Sequence, residues 1–349
     1  MAMQRPIMNP TFVEEEGTRS TKKTFWDRLR PLLRLLKYIV RVLLWDPLAG
    51  KHPRGLRIED GSRWQRFCRG LLYRLSFLPL FTALAVGALV YAATHPKQNS
   101  FEPDPNSQGI YYDAVTMRSD DGVRLEAWLV PAFDAEQINR DKELALRQKQ
   151  PAVLLVHDYG KDRSQMLPLV KPLHDAGFVV MVVALRGSGA SQASGSTFGL
   201  LEANDVKAAI SALRKRDYVD TRRIAIVGVG IGANAALMTA QDDPGIRALV
   251  LDHPTQLGNQ MLITRIGPRN QWLKWMQPMC KWTFELFYQV DADELDLNRY
   301  TTVMNSRKTF MVDDHALPGD FRAAPAKNVS RFLSANLLPE GVAAVELKK

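Results

Sequence analysis

Four short runs carry side chains or backbone that could do chemistry. Gly228-Val229-Gly230-Ile231-Gly232 follows an apolar stretch and holds no reactive side chain, so any chemistry there belongs to its backbone. Small residues let a phosphate approach the first amides of a helix, and Gly228-x-Gly230-x-x-Ala233 fits that fingerprint. Asp252, ending the next apolar run, could then bind a ribose hydroxyl. His157-Asp158-Tyr159-Gly160 places an imidazole and a carboxylate beside a permissive glycine. Ser188 and Ser191 offer hydroxyls in Arg186-Gly187-Ser188-Gly189-Ala190-Ser191, but hydroxyls in such turns usually satisfy backbone groups, and no base is adjacent. Asp314-His315 puts an acid next to an imidazole. Cys280 lies among Trp275, Met276, Met279, Trp282 and Phe284, which suits a packed thiol better than a nucleophile. Cys68 and Cys280 make no disulfide framework, and no Cys/His cluster has zinc-ligand spacing. No metal or other cofactor is expected.

These runs sit at the ends of short apolar stretches that alternate with helical ones from Ile110 onward. Asp113–Arg118 and Val123–Val130 flank Ser119-Asp120-Asp121-Gly122, a hairpin signal. After a charged segment, Asp134–Gln150, come the apolar runs Ala152–Val156, Phe178–Ala184, Ile224–Val227, Ala248–Leu251 and Thr309–Val312. Helical stretches at Arg163–Ala176, Leu201–Arg214 and Gly232–Ala240 separate them, with an insertion at about 254–300. Apolar runs alternating with helices predict a doubly wound α/β domain with a mostly parallel sheet covered on both faces.

The charge distribution divides the chain. Composition is globular, with 46% apolar and 24% charged residues, which excludes a disordered or fibrous protein. Residues 1–74 hold 16 Lys+Arg against 7 Asp+Glu, which is the whole net charge of +9. Residues 75–94 carry no charge, and residues 95–349 carry 30 of each sign. A nucleic-acid-binding domain would carry the excess on its folded part, so no nucleic-acid partner is expected. Twenty uncharged residues make a helix of about 30 Å, the thickness of a bilayer's hydrocarbon core, so 75–94 predicts a transmembrane helix. Tyr73 and Tyr91 lie near its ends, where such rings favour headgroups. Arg63, Arg66, Arg69 and Arg74 predict a cytoplasmic N-terminus and a folded domain on the non-cytoplasmic side, periplasmic in a bacterium. A cleaved signal peptide does not fit, since its charged region would be 74 residues long. Within the basic segment, Arg30, Arg34, Lys37 and Arg41 form one stripe on an otherwise apolar helix of about 25–45, suited to an anionic lipid surface. Residues 95–109, with three prolines and a glycine, read as a linker to a domain of 110–349.

Four of the outer domain's motifs, taken in order, resemble the α/β-hydrolase superfamily, closest to its serine-aminopeptidase and acyl-hydrolase branch. His157-Asp158-Tyr159-Gly160 is similar to that family's His-Gly-x-Gly oxyanion loop, which Ile231 would complete. Arg186-Gly187-Ser188-Gly189-Ala190-Ser191 is similar to its Arg-Gly-x-Gly-x-Ser turn. Gly199, Glu202 and Asp205 match its Gly-x-x-Glu-x-x-Asp helix entry, and Val219-Asp220, Arg223-Ile224 and Gly228–Gly232 match its Val-Asp…Arg-Ile…Gly-x-Ser-x-Gly run.

The resemblance also marks departures. Gly230 stands where the family has its nucleophilic serine, so no acyl-enzyme can form there. Asp158 replaces an oxyanion-loop glycine and would oppose the developing negative charge. Asp314-His315-Ala316-Leu317-Pro318 resembles the stretch carrying the family's acid, with Asp314 as its counterpart. Val342–Leu347 reads as the last strand, yet no histidine follows His315, so the family's base is expected to be absent.

The expectation is a catalytically inactive, membrane-anchored α/β-hydrolase-like protein that binds, scaffolds or joins a membrane complex. Its expected partners are the lipid bilayer and a membrane protein. The insertion would form a helical cap whose Trp272, Trp275, Trp282 and Phe287 either fill its own core or face a partner or ligand groove. Hydrolysis of acyl or peptide bonds with a non-standard nucleophile, and nucleotide binding at Gly228–Ala233, remain alternatives.

Overall fold

The computed structural model describes residues 63–96, 103–132, 149–192, 194–254, 274–312 and 324–338. The basic stripe Arg30, Arg34, Lys37 and Arg41, the Asp314-His315 pair, Trp272 and the strand expected at 342–347 lie outside them, as does most of the charged segment 134–150. Contacts divide the chain between Thr82 and Ala83 into two compact units.

Helix α1 (Arg63–Ser76) lies in the first unit, and after Phe77 comes α2 (Leu78–Thr94), whose residues from Ala83 onward belong to the second. Pro79 occupies the first turn of α2, where a missing N–H is tolerated. Together they supply an apolar stretch, Leu71–Thr94, of 24 residues with mean hydropathy 2.0, long and apolar enough to cross a membrane.

The second unit contains a seven-stranded sheet, ordered β1-β2-β4-β3-β5-β6-β7 among the described residues. The strands are β1 (Asp113–Arg118), β2 (Arg124–Val130), β3 (Gln150–Val156), β4 (Val179–Val183), β5 (Val219–Val229), β6 (Ile246–Asp252) and β7 (Lys308–Val312). β1 and β2 form an antiparallel hairpin, and β2 joins β4 antiparallel. The remaining pairings are parallel. The helices are α3 (Leu167–Asp175), α4 (Glu202–Arg214), α5 (Ile231–Asp242), α6 (Gln277–Tyr288), α7 (Thr301–Ser306) and α8 (Ala324–Leu337).

The period of two along each strand sorts the core into two layers. Ala152, Leu154 and Val156 of β3 pack with Val206 and Ile210 of α4 and with Ala236 and Leu237 of α5. Val153 and Leu155 point the other way, toward Leu169 and Leu173 of α3 and Val329 and Leu333 of α8. β4 and the Pro151–Val156 part of β3 are apolar throughout because both of their faces are covered.

Two buried carboxylates hold the loops that bring the sheet's upper edge together. Glu202, fully buried, accepts from Ser196 Oγ (2.6 Å), Thr197 N (2.9 Å), Thr197 Oγ1 (2.7 Å) and Gly199 N (3.0 Å). That fixes a turn in which Phe198 and Gly199 both have positive φ. Gly199 is required there, since a Cβ would lie 2.6 Å from Asn234 Cβ. One helical turn later, Asp205 accepts from the Arg186 backbone N–H (2.8 Å) and from its guanidinium (2.7 Å). Arg186 also donates to Asp121 (2.6 Å), which ties the β1–β2 hairpin to the loop after β4. Burial pushes the Asp205 carboxyl up to about 6 against the pull of Arg186, so the pair is charged at neutral pH.

Replacing Asp205 by alanine leaves Arg186 buried without most of its partners and is expected to cost about 3–5 kcal/mol in urea denaturation. The double change Asp205→Leu with Arg186→Met should cost much less, because no charge is then stranded. Equal losses in the two proteins would show that packing, not the charge pair, sets the stability of this corner.

Candidate functional site

The turn from β5 into α5 is pressed against the end of β3. A Cβ on Gly228 would lie 2.5 Å from the Gly232 carbonyl oxygen, and one on Gly232 would lie 2.6 and 2.7 Å from the Val156 and His157 carbonyl oxygens. Only glycine permits that approach. Gly230 caps α5 with φ 53° and ψ −112°, a conformation that places the following amide at the open end of the helix. Its own N–H donates to the Asp252 carbonyl (2.9 Å).

The space above Gly230 is taken by a side chain from the neighbouring loop. A Cβ at Gly230 would overlap the Asp158 carboxylate. Asp158 Oδ1 accepts the Ile231 N–H at 3.1 Å, the amide that would otherwise face an incoming oxyanion. The favourable end of the α5 dipole stabilises this arrangement. The same carboxylate stands where a pyrophosphate would meet the helix, so the glycine fingerprint at Gly228–Ala233 is closed to phosphate by charge as well as by space.

The rest of the loop fixes Asp158 in place. His157 is buried, and its Nε2 accepts from Leu185 N (3.1 Å). Nδ1 therefore carries the proton and donates to the Asp158 carbonyl (2.9 Å). That imidazole bridges the ends of β3 and β4 and is committed to backbone groups on both sides. The Asp158 N–H donates to Gln165 Oε1 (2.7 Å). Tyr159 is buried and donates its hydroxyl to the Ala93 carbonyl (2.5 Å), and Gly160 takes φ 68° beneath Pro96. The end of α2 thus forms one wall of the site.

His157, Asp158, Ser188, Ile231 and Pro96 are among the residues around a cleft whose enclosed space admits little more than a water molecule. The serines of the 186–191 turn serve the backbone: Ser188 donates to the Lys161 carbonyl (2.9 Å) and Ser191 to the Ala184 carbonyl (2.8 Å). Cys280 is buried, and burial pushes its thiol up, away from the reactive thiolate. Trp275, Trp282 and Phe287 do not line the cleft. They are 61%, 65% and 69% exposed, whereas Met276, Cys280 and Phe284 of the same helical region face the core. Among the described residues no cluster of His, Cys, Asp and Glu could hold a metal.

One pair escaped the sequence reading. Asp252, fully buried at the end of β6, hydrogen-bonds the Nδ1 of His253, whose φ is 44° and whose ring is partly exposed. Positive φ at a non-glycine residue next to the elbow is a strain signal that only the fold reveals. The sequence signal was weak: a histidine directly after the acid that closes an apolar run.

Replacing Gly230 by alanine combines a left-handed backbone with the Asp158 overlap and should destabilise the protein by about 1–3 kcal/mol. Adding Asp158→Gly should restore part of that loss, a coupling measurable by a double-mutant cycle in urea. Strict additivity would show that Asp158 does not occupy the space above Gly230.

A family model for serine aminopeptidase S33 matches residues 147–332. The chain is 28% identical over 198 residues to the uncharacterized protein YfhR of Salmonella typhi, covering 52% of this chain and 61% of that one. It is 27% identical over 168 residues to the alpha/beta hydrolase domain-containing protein WAV2 of Arabidopsis thaliana, covering 47% and 50%. It therefore spans between half and about three-fifths of these curated relatives. The esterase Pf2001 of Pyrococcus furiosus superposes with a TM-score of 0.49 at 18% identity, over 69% of this chain and 99% of the esterase. With more than half its length matched, the chain belongs to the serine aminopeptidase S33 family of α/β-hydrolases.

Proposed function

We propose that this protein is a membrane-anchored α/β-hydrolase-like protein without hydrolase activity, acting as a binding, scaffolding or complex subunit beside a membrane protein. The observation that carries the reading is the elbow: Gly230 supplies no nucleophile, and Asp158 fills the space above it while holding the Ile231 amide. Acyl transfer needs both a nucleophile and an unoccupied donor for the oxyanion. Anchoring is supported by the apolar stretch Leu71–Thr94 and by the cationic excess before it, which favours a cytoplasmic N-terminus and a non-cytoplasmic domain. The basic stripe of residues 25–45 belongs to this reading as a contact with anionic lipid.

One observation favours a second reading. Asp158 brings a carboxylate to the nucleophile's place, and the nearby strand end carries a histidine oriented by buried Asp252. An Asp158 carboxylate that attacked an ester would expel its alcohol, protonated by solvent, and form a mixed anhydride; His253 would take a proton from the water that cleaves the anhydride, releasing the acid and restoring the carboxylate.

Full-length protein purified in mild detergent is expected neither to turn over activated esters nor to label with a fluorophosphonate probe. Gly230→Ser should stay inactive, because Asp158 still overlaps the new side chain and holds the Ile231 amide. Stoichiometric labelling of the wild type would overturn the first reading. Ester turnover lost in both Asp158→Asn and His253→Ala would establish the second.

A further inference from the structure

The membrane-length stretch and the folded domain overlap in sequence, and the overlap has a geometric consequence. Crossing about 30 Å of hydrocarbon takes about 20 helical residues. Within the second unit, Val86, Val90 and Ala93 of α2 are buried in the domain's core, together with Tyr159, Phe198 and Phe284. The carbonyls of Ala93 and Thr94 accept from Tyr159 Oη (2.5 Å) and Ser196 N (2.7 Å). Without Val86–Thr94, the apolar stretch back to Leu71 covers only about 22 Å at 1.5 Å per residue. A span of about 20 residues that starts no earlier than Leu71 must therefore run through at least Val86–Val90, and the domain surface beside that segment then lies at the depth of the hydrocarbon.

Helix α6 lies beside that segment. Its Tyr288 hydroxyl lies against Thr94, and Phe284 stacks on Phe198 (5.7 Å), which in turn meets Tyr159 (5.7 Å). Met276, Cys280 and Phe284 face the core, while Trp275, Met279, Trp282 and Leu286 are exposed. These four are spaced four, three and four residues apart, the interval of a single helical face. Phe287 adds a further exposed ring. Lys281 pairs with Asp293 and Glu285, off that face. Two tryptophans on an uncharged face match the preference of such rings for the zone between headgroups and acyl chains.

We infer that α6, with the helical turn before it, is an interfacial element whose Trp275–Met279–Trp282–Leu286 face is inserted into the leaflet that the domain meets, so that the hydrolase-like domain lies on the bilayer. The inference rests on the anchoring reading above. Insertion of an apolar face by about 5–10 Å is typical of such helices, and it gives the α2 end the depth that its burial in the domain would otherwise deny it.

The test uses full-length protein in liposomes, with a Cys68→Ser background and buried Cys280 left in place. Fluorophores are attached at Trp282→Cys, Phe287→Cys, Leu84→Cys on α2 and Lys171→Cys on α3. Emission from positions 282 and 287 should be lost to nitroxide-labelled lipids and protected from aqueous iodide. Position 171 should show the reverse, and position 84 should be lost to nitroxide. Iodide quenching at 282 and 287, or quenching there by neither agent, with position 84 still lipid-quenched, would overturn the docking while leaving the anchor standing. Quenching by neither agent would mean that a second copy or a partner protein covers α6. No lipid quenching at position 84 would remove the anchor and the docking together.

Discussion

The close approach of the β5–α5 turn to the end of β3 is the constraint around which the site is arranged. Gly228 and Gly232 cannot carry a side chain without striking backbone, so the turn is fixed whatever residue lies between them. In a hydrolase that rigidity would aim a nucleophile. Here it holds a glycine, and the freed space is filled by a carboxylate that the helix dipole and the Ile231 amide favour. The loss of one side chain and the gain of another fit together. Asp158 can sit where it does only because Gly230 has no Cβ.

The loops around this turn are held by charge rather than by apolar contact. Glu202 gathers the 196–199 turn, and Asp205 gathers Arg186 and, through it, the β1–β2 hairpin. These interactions need no reacting serine, which explains how the architecture stays ordered with the elbow empty. The same loops receive the end of α2 through Tyr159 and Ser196. Anything that moves the α2 end acts directly on the loop bearing Asp158, a physical route from the apolar helix to the elbow.

Much of the sheet was legible from apolar runs, because Ala152–Val156 of β3, Val179–Val183 of β4 and Ala248–Leu251 of β6 are covered on both faces and read as continuous apolar stretches. β5 was underestimated. It begins at Val219 rather than Ile224, and its exposed Thr221 and Arg222 hide the strand signal until the buried half starts. The motif at Gly199, Glu202 and Asp205 could be recognised but not explained, since its carboxylates act on loops distant in sequence. Asp158 could be suspected of opposing an oxyanion. That it occupies the space above Gly230 depends on two chain segments meeting, which no local pattern records. Hydropathy marked Leu75–Thr94 but could not separate exposed from core-facing positions, so the burial of Val86 and Val90 was invisible. The aromatic residues of 275–288 divide by helical face, and only the fold says which face is which.

The hold of the Asp158 carboxylate on the Ile231 amide can be read from that amide. In protein selectively labelled with 15N-isoleucine, the Ile231 N–H resonance should move as pH is lowered and Asp158 takes up a proton. The movement should vanish in Asp158→Ala. An Ile231 resonance that ignores pH, and shifts instead on addition of a phosphonate oxyanion mimic, would show an open oxyanion site and contradict the account.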